Sequence, residues 1–471
     1  MSPAPGTSEN PLRVAIVGSG PAGFYAADRL LKAADLVTEV GMFERLTTPW
    51  GLVRAGVAPD HPNIKAVTRV YEKTAALPGF RFHGNVEIGV HVSHEELAAH
   101  HHAVLYAIGS PTDRRLAIPG EELAGSHAAT EFVAWYNGHP EYCDHEFDLS
   151  GSRAVVIGNG NVALDVARML ALTHEELRTT DIADHALEAL AHSRIEEIVV
   201  LGRRGPVQAA YTNPELRELG ELEAADVIVD PADVELDEHS RAFLESDAAD
   251  ITARRNVEIV TDYAGRAPAG KPKRLLLRFL ASPIALVGSD RVEAITIARN
   301  ELVRGPNGAI TARQTEVTET IEADLVLRSI GYKGSPVPGL PFDERRAVIH
   351  NDGGRVTFPE TDEPMPGVYA AGWIKRGPSG VIGTNKKCAQ ETVALLLGDL
   401  TAGRLPEPSG SAEDFADLLA ERRADRIGYE GWLAIDAHER ALGEQQGRPR
   451  VKLTRTEDLL RVAREQQPAP R

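Results

Sequence analysis

The strongest constraint on this chain is a pattern that it contains twice: a short β-branched run, a glycine turn and a helix. The first copy is Leu12–Val17, then Gly18-Ser19-Gly20-Pro21-Ala22-Gly23, then an expected helix from Phe24 to Ala33. The second is Ala154–Ile157, then Gly158-Asn159-Gly160-Asn161-Val162-Ala163, then Leu164 to Leu172. Gly158 stands 140 residues after Gly18, a spacing that indicates a duplicated architecture rather than a solenoid repeat. In the first copy Gly18 permits a tight turn, Gly20 lets backbone approach a pyrophosphate, and Gly23, beside Ala22, allows close helix packing. The free N–H groups of the helix start then face the anion. Glu44 closes the next strand, 21 residues past Gly23, where a carboxylate accepts hydrogen bonds from a ribose diol. The plain alternative is a glycine turn with no ligand.

The second copy differs in its chemistry. Its third small residue is Ala163, and the strand that follows ends in Gly202-Arg203-Arg204 rather than an acid. An acid would repel a 2′-phosphate, whereas two guanidiniums would grip one through charge-assisted hydrogen bonds, so this site suits NADP rather than NAD. A solvated basic turn is the bland reading of Arg203 and Arg204. Two dinucleotide sites in one chain suggest one bound cofactor and one exchanging substrate, and a flavin with a nicotinamide fits best.

Further strand candidates are Glu39–Phe43, Ala103–Ile108, Ile195–Leu201 and Leu325–Ile330, with helical stretches between them, including an extra helix in the long Asn161–Ile195 crossover. This predicts an α/β, doubly wound fold with two Rossmann-like domains. Leu275–Asn300 alternates more like antiparallel strands. Pro/Gly-rich stretches at Gly109–Pro119 and Gly331–Pro341 bracket the second unit. The expected division is therefore a discontinuous FAD domain, 1–111 and 333–471, with an NADP domain, 112–332, inserted into it. Ser411–Gly443 has helical spacing, and the basic tail from Gln445 reads as a solvated end or as a contact for an acidic partner.

The length of 471 residues allows two or three domains, and the net charge of −18 makes nucleic acid and anionic membranes poor general partners. No apolar run reaches the length of a membrane helix. Cys143 and Cys388 are the only cysteines. They are too far apart for a CxxC pair and too few for a four-cysteine zinc or iron–sulfur site, so no metal centre is expected. Met1–Pro11 reads as a frayed tail without a signal, which places the protein in the cytoplasm.

Four segments carry a resemblance: Thr48 to Pro62, Gly158 to Asp165, Gly202 to Pro206, and Gly372 to Asn385. They are similar to the adrenodoxin-reductase-like ferredoxin–NADP reductases, bacterial members especially, a glutathione-reductase-like family of FAD enzymes. The resemblance implies that Leu52, Ile88, Trp373, Gly380, Val381 and Ile382 contact FAD. It also implies that Arg114, Asn159, Gly160, Asn161, Val162, Arg203, Arg204, Glu215 and Gly380 contact NADP. His61 and Glu215 are implied as catalytic aids at the nicotinamide. As plain alternatives, Trp373 reads as core, His61 as a solvated loop residue, and Glu215 as a first-turn helix acid.

The implied reaction is hydride transfer from NADPH to flavin N5, followed by two single-electron steps to a ferredoxin. An acidic ferredoxin would need local basic surface on this acidic chain. Candidates are Arg254, Arg255, Lys271, Lys273, Arg274, Lys375, Arg376, Lys386 and Lys387. Other readings are a flavin monooxygenase or a non-catalytic FAD/NADP redox sensor; a disulfide reductase lacks its cysteine pair.

Overall fold

Leu12–Val17 is apolar at every position but Arg13, the pattern of a parallel strand covered on both faces, and it lies inside a seven-stranded sheet. The sheet order is Asn351–Asp352, Arg355–Thr357, Pro364–Ala370, Ala103–Tyr106, Leu12–Val17, Thr38–Glu44 and Phe80–Gly84. The last five strands run parallel, in registers such as Val14 with Val40 and Val14 with Ala103. One face packs on the helices Pro21–Leu31 and Ile382–Thr401 through Ala26, Leu30, Val393 and Leu396. The structure, a computed structural model, describes residues 4–247, 249–305 and 308–465. The sheet belongs to a unit made of Met1–Val57, His61–Asp113 and Gly331–Arg471.

The second unit is Ala58–Asp60 with Arg114–Ile330. Its six strands are all parallel, in the order Ser126–Ala128, Leu325–Arg328, Arg153–Ile157, Glu197–Leu201, Lys273–Arg278 and Ala225–Val229. A separate antiparallel sheet joins Ala281–Val287, Ala294–Arg304 and Ile310–Glu322. Both units are doubly wound α/β.

Several expectations change. Leu275–Arg278, expected to be antiparallel, lies in the parallel sheet between two partners, with Leu275 and Leu277 buried; only the part from Ala281 onward is antiparallel. The long crossover holds two extra helices, His174–Leu177 and Asp184–Ala191, rather than one. The expected frayed N-terminus is anchored at Gly6, which is buried and whose carbonyl accepts from Val37 N–H at 2.8 Å; Ala4 and Thr7 to Glu9 are exposed, and residues 1–3 lie outside the described residues.

The first part of the basic tail, Arg448 to Lys452, is not a solvated end, whereas Arg455, Arg461 and Arg464 are exposed and the tail past Glu465 lies outside the described residues. Arg448 and Lys452 are buried, and Arg450 reaches Asp436 at 2.8 Å and Glu439 at 3.0 Å. The acidic partner is the chain's own helix Tyr429–Gln445. Glu439, fully buried, also takes both arms of Arg54 at 2.8 and 2.6 Å and the Leu453 N–H at 2.9 Å. Arg54 sits 5.4 Å from the centre of the Trp432 ring, and Lys452 Nζ donates to its carbonyl. Burial alone would push the Glu439 carboxyl up, but Arg54 and Arg450 outweigh it and hold it below its ordinary value of 4.5.

Glu439→Gln would leave the Arg54 guanidinium buried without its countercharge and Arg450 with Asp436 alone, so it should destabilise the fold by about 3 to 5 kcal/mol. A carboxylate depressed in the fold contributes stability above its unfolded value, lost as pH falls through the folded one. The gap between wild type and variant in urea midpoint should therefore be full at neutral pH and shrink below the ordinary value of 4.5; a gap that does not depend on pH would refute the pairing.

Candidate functional site

In the first unit Gly18 has φ +104°, and a Cβ there would lie 2.5 Å from the Ala107 carbonyl oxygen. A Cβ on Gly23 would lie 2.1 Å from the Gly18 oxygen, whereas at Gly20 it would meet nothing within 4 Å. Gly18 and Gly23 are thus required by packing, and Gly20 borders open space. The helix Pro21–Leu31 starts on Gly20 with no side-chain cap, leaving its first N–H groups for an anion. Glu44 braces this turn, with Oε2 accepting from Ser19 Oγ at 2.6 Å and Ser19 N–H at 3.2 Å, while Oε1 accepts from Leu46 N–H.

The segment after Thr48 folds back on the turn. Trp50, at φ +84°, donates its N–H to Ser19 O at 2.9 Å, and a Cβ on Gly51 would stand 3.1 Å from Gly20 Cα. Such strain in a non-glycine residue is typical of functional sites. Gly372, at φ +75°, approaches Ala22 so closely that a Cβ would lie 2.7 Å from the alanine's Cβ. Trp373 is half-buried rather than core; its ring centre is 5.2 Å from that of Tyr332, and its indole N–H is buried without an acceptor among the described residues. Gly380 has φ +78° and leads into Val381 and Ile382, the uncapped start of a 20-residue helix. Leu52 and Val381 are exposed at 38% and 56%, and Ile88 is half-buried against the core under Val86 and Val92. Exposed aliphatics, an orphaned indole N–H, open space at Gly20 and two uncapped helix starts fit the demands of a flavin dinucleotide.

In the second unit a Cβ at Gly158 would lie 2.1 Å from Ser329 O. Gly160 caps the helix Asn161–Ala171 without a side-chain bond and faces nearly open space. Asn161 Oδ1 accepts from Thr212 N–H at 2.8 Å, the Asn159 carbonyl accepts from Ala210 N–H at 3.0 Å, and Val162 is half-buried. Asn159 Nδ2 is buried with no acceptor among the described residues, another orphan facing a ligand-sized need. Arg203 and Arg114 are exposed and Arg204 half-buried, and none of the three meets a carboxylate among the described residues. Burial and the charge of Arg203 hold the Arg204 guanidinium below its ordinary value. No carboxylate among the described residues competes for this pair of guanidiniums, an arrangement that suits a phosphate.

Glu215, buried in the first turn of Asn213–Leu219, is more than a first-turn acid. Its Oε2 lies 3.4 Å from Arg168 Nη1, which also meets Glu218 at 3.2 Å. Arg168 further holds Asp60 at 2.6 and 3.1 Å and Asp165 at 2.9 Å. Burial would push this guanidinium down, but the bond to Asp60 and the charges of Asp165, Asp60 and Glu218 raise it above its ordinary value. His61, next in sequence to Asp60, is buried rather than solvated. Sequence reading missed Arg168; the spacing of Asp165 and Arg168 on one helix face was the available signal.

The basic candidates thin out. Lys375 is buried against Thr392 Oγ1, Lys273 and Lys271 donate to the Leu170 and Leu222 carbonyls, Arg274 pairs with Glu197, and Arg376 binds Asn385. These side chains carry methylene stems that pack while the charge finds a local acceptor. Arg254, Arg255, Lys386 and Lys387 remain exposed, as does Arg274 with its charge paired to Glu197.

Residues 12–200 match the family model of the pyridine nucleotide-disulphide oxidoreductases. The chain is 51% identical over 457 residues to the NADPH-ferredoxin reductase FprA of Mycobacterium leprae, covering 95% of this chain and 98% of that protein. The chain belongs to the NADPH-ferredoxin reductase family. The mitochondrial NADPH:adrenodoxin oxidoreductase of Arabidopsis thaliana is 41% identical, covering 97% of this chain and 96% of that one. A solved structure of Mycobacterium tuberculosis FprA in complex with NADPH matches with a TM-score of 0.91 at 48% identity, over 96% of this chain and 100% of that one. No described helix is long and apolar enough to cross a membrane.

The two turn glycines should respond differently to alanine. Gly18→Ala forces a left-handed Cβ into a carbonyl and should lower stability by about 2 kcal/mol or more. Gly20→Ala has room and should keep the wild-type denaturation midpoint; equal losses would contradict the packing described.

Proposed function

We propose that the protein carries electrons between NADPH and an iron–sulfur ferredoxin through bound FAD. The observation that supports this reading best is the opposite chemistry of the two glycine turns. One is braced by a carboxylate, and the other is flanked by two arginines with no acidic partner among the described residues. FAD, when bound, takes up two electrons as hydride and releases them singly, chemistry that neither cysteine supplies.

We assign FAD to the first unit and NADP to the second. Gly18, Gly20, Ala22 and Gly23 take the FAD pyrophosphate on the uncapped helix start, and Glu44 accepts from the ribose. Leu52, Ile88 and Trp373 line the cofactor, and the helix start at Gly380, Val381 and Ile382 favours negative charge beside it. Asn159, Gly160, Asn161 and Val162 hold the NADP pyrophosphate, Arg203 and Arg204 its 2′-phosphate, and Arg114 and Gly380 complete its contacts. Glu215 accepts the nicotinamide carboxamide N–H, and a ring nitrogen of His61 holds a proton near the transfer. We place the protein in the cytoplasm, where a reducing compartment suits a chain with only two cysteines; recovery in a membrane or periplasmic fraction would overturn this.

The purified protein should be yellow, should bleach on anaerobic addition of NADPH, and should recover its colour when oxidised ferredoxin is added. A colourless protein that takes up no FAD, or bleached protein that ferredoxin leaves unchanged, would defeat the proposal. His61→Ala and Glu215→Gln should keep FAD but slow its reduction by NADPH about tenfold to a hundredfold in stopped flow, the scale of a misplaced reactant; unchanged rates would remove them from the site.

A further inference from the structure

Two guanidiniums side by side repel each other, so a turn that offers such a pair to a phosphate needs its backbone fixed before the anion arrives. Three consecutive carbonyls of that turn are fixed. Gly202 O accepts from Ala281 N–H at 3.0 Å, Arg203 O from Asn300 Nδ2 at 2.7 Å, and Arg204 O from Leu280 N–H at 3.2 Å. Ala281 and Asn300 belong to the antiparallel sheet, and Leu280 leads into it at φ +53°, its own carbonyl accepting from Asn300 N–H at 2.6 Å.

Asn300 is the one side chain among these three donors. It is buried at 3% exposure, and its amide also donates to Ser282 Oγ at 2.8 Å. Its inward position depends on an irregular strand. Along Ala294–Arg304 burial falls on Ile295 and Ile297, then switches phase to Ala298, Asn300 and Leu302, and the pairing register shifts between Ala298 and Asn300. Strict alternation from Ile297 would have turned Asn300 to the outer face.

We infer that Asn300 is a specificity-determining positioning residue: through the Arg203 carbonyl it holds the arginine pair ready for a 2′-phosphate and so sets the preference for NADPH over NADH. The antiparallel sheet then serves as the brace of the cofactor-selecting turn. The inference rests on the reading of Arg203 and Arg204 as the 2′-phosphate site.

The test compares variants of the FAD-loaded protein. Asn300→Ala should raise the KM for NADPH about tenfold and weaken inhibition by 2′,5′-ADP by a similar factor, while the KM for NADH and inhibition by 5′-AMP move by less than about twofold. Ser282→Ala, which loosens Asn300 without emptying its place, should shift the same two quantities in the same direction by a smaller factor, and it carries the test if Asn300→Ala fails to fold. Arg203→Ala provides the reference by raising the KM for NADPH far more than that for NADH. If Arg203→Ala discriminates in this way while the Asn300 and Ser282 variants shift NADPH and NADH equally or not at all, the inference is overturned. If Arg203→Ala does not discriminate, the 2′-phosphate reading itself falls, and the inference with it.

Discussion

In both units the residue that follows the leading strand presses its α-carbon against the carbonyl of a neighbouring chain segment, so that a Cβ would come within 2.5 Å of Ala107 O at Gly18 and within 2.1 Å of Ser329 O at Gly158. Ala107 and Ser329 each follow the strand that pairs on one side of the leading strand, while the next βα unit pairs on its other side. The contact therefore marks the point where strand order reverses, the crevice where open α/β sheets bind ligands. In the first unit the helix start at Gly20 and the Trp50-Gly51 segment adjoin the first contact, and in the second Gly202, which opens the arginine turn, packs on Asn159 beside the other.

Charge within each unit is handled by a few buried hubs. Arg168 gathers four carboxylates in the second unit, and Glu439 gathers two arginines in the first. Buried ionic groups of this kind add little net stability against apolar packing, but removing one member strands the others. Each hub thus fixes particular segments in one arrangement: Asp60 beside His61 and the helix of Glu215 through Arg168, and Arg54, in the segment after Thr48 that folds back on the first turn, through Glu439. Surface charge is left for other uses, as at Lys386 and Lys387.

The elements legible in the sequence were those whose cause is local. The glycine turns, their flanking strands and helices, and the opposed Glu44 and Arg203-Arg204 endings follow from residues within a few dozen positions, and the fold class follows from their alternation. The hubs were not legible, because Asp60 and Arg168 are 108 positions apart and Arg54 and Glu439 are 385 apart. For the same reason a basic C-terminal stretch looked solvated when its partner is a buried glutamate, and Lys375 looked like surface when it lies beneath Thr392. Leu275–Asn300 misled in a different way. Its alternation is real, but Leu275–Arg278 joins the parallel sheet, and the later phase switch that buries Asn300 has no sequence signal.

The enclosure of one unit by the other in sequence also has a consequence for synthesis. The inserted unit is complete once Ile330 has emerged, whereas the surrounding unit still lacks Glu439, the countercharge of Arg54, and Arg450, the second arginine that Glu439 holds. At roughly 5 to 20 residues per second, that is a wait of roughly 6 to 24 s. For part of it, Ala103–Tyr106 lacks the strand Pro364–Ala370 that pairs with its second edge. The part of the chain made first is thus the part that finishes folding last.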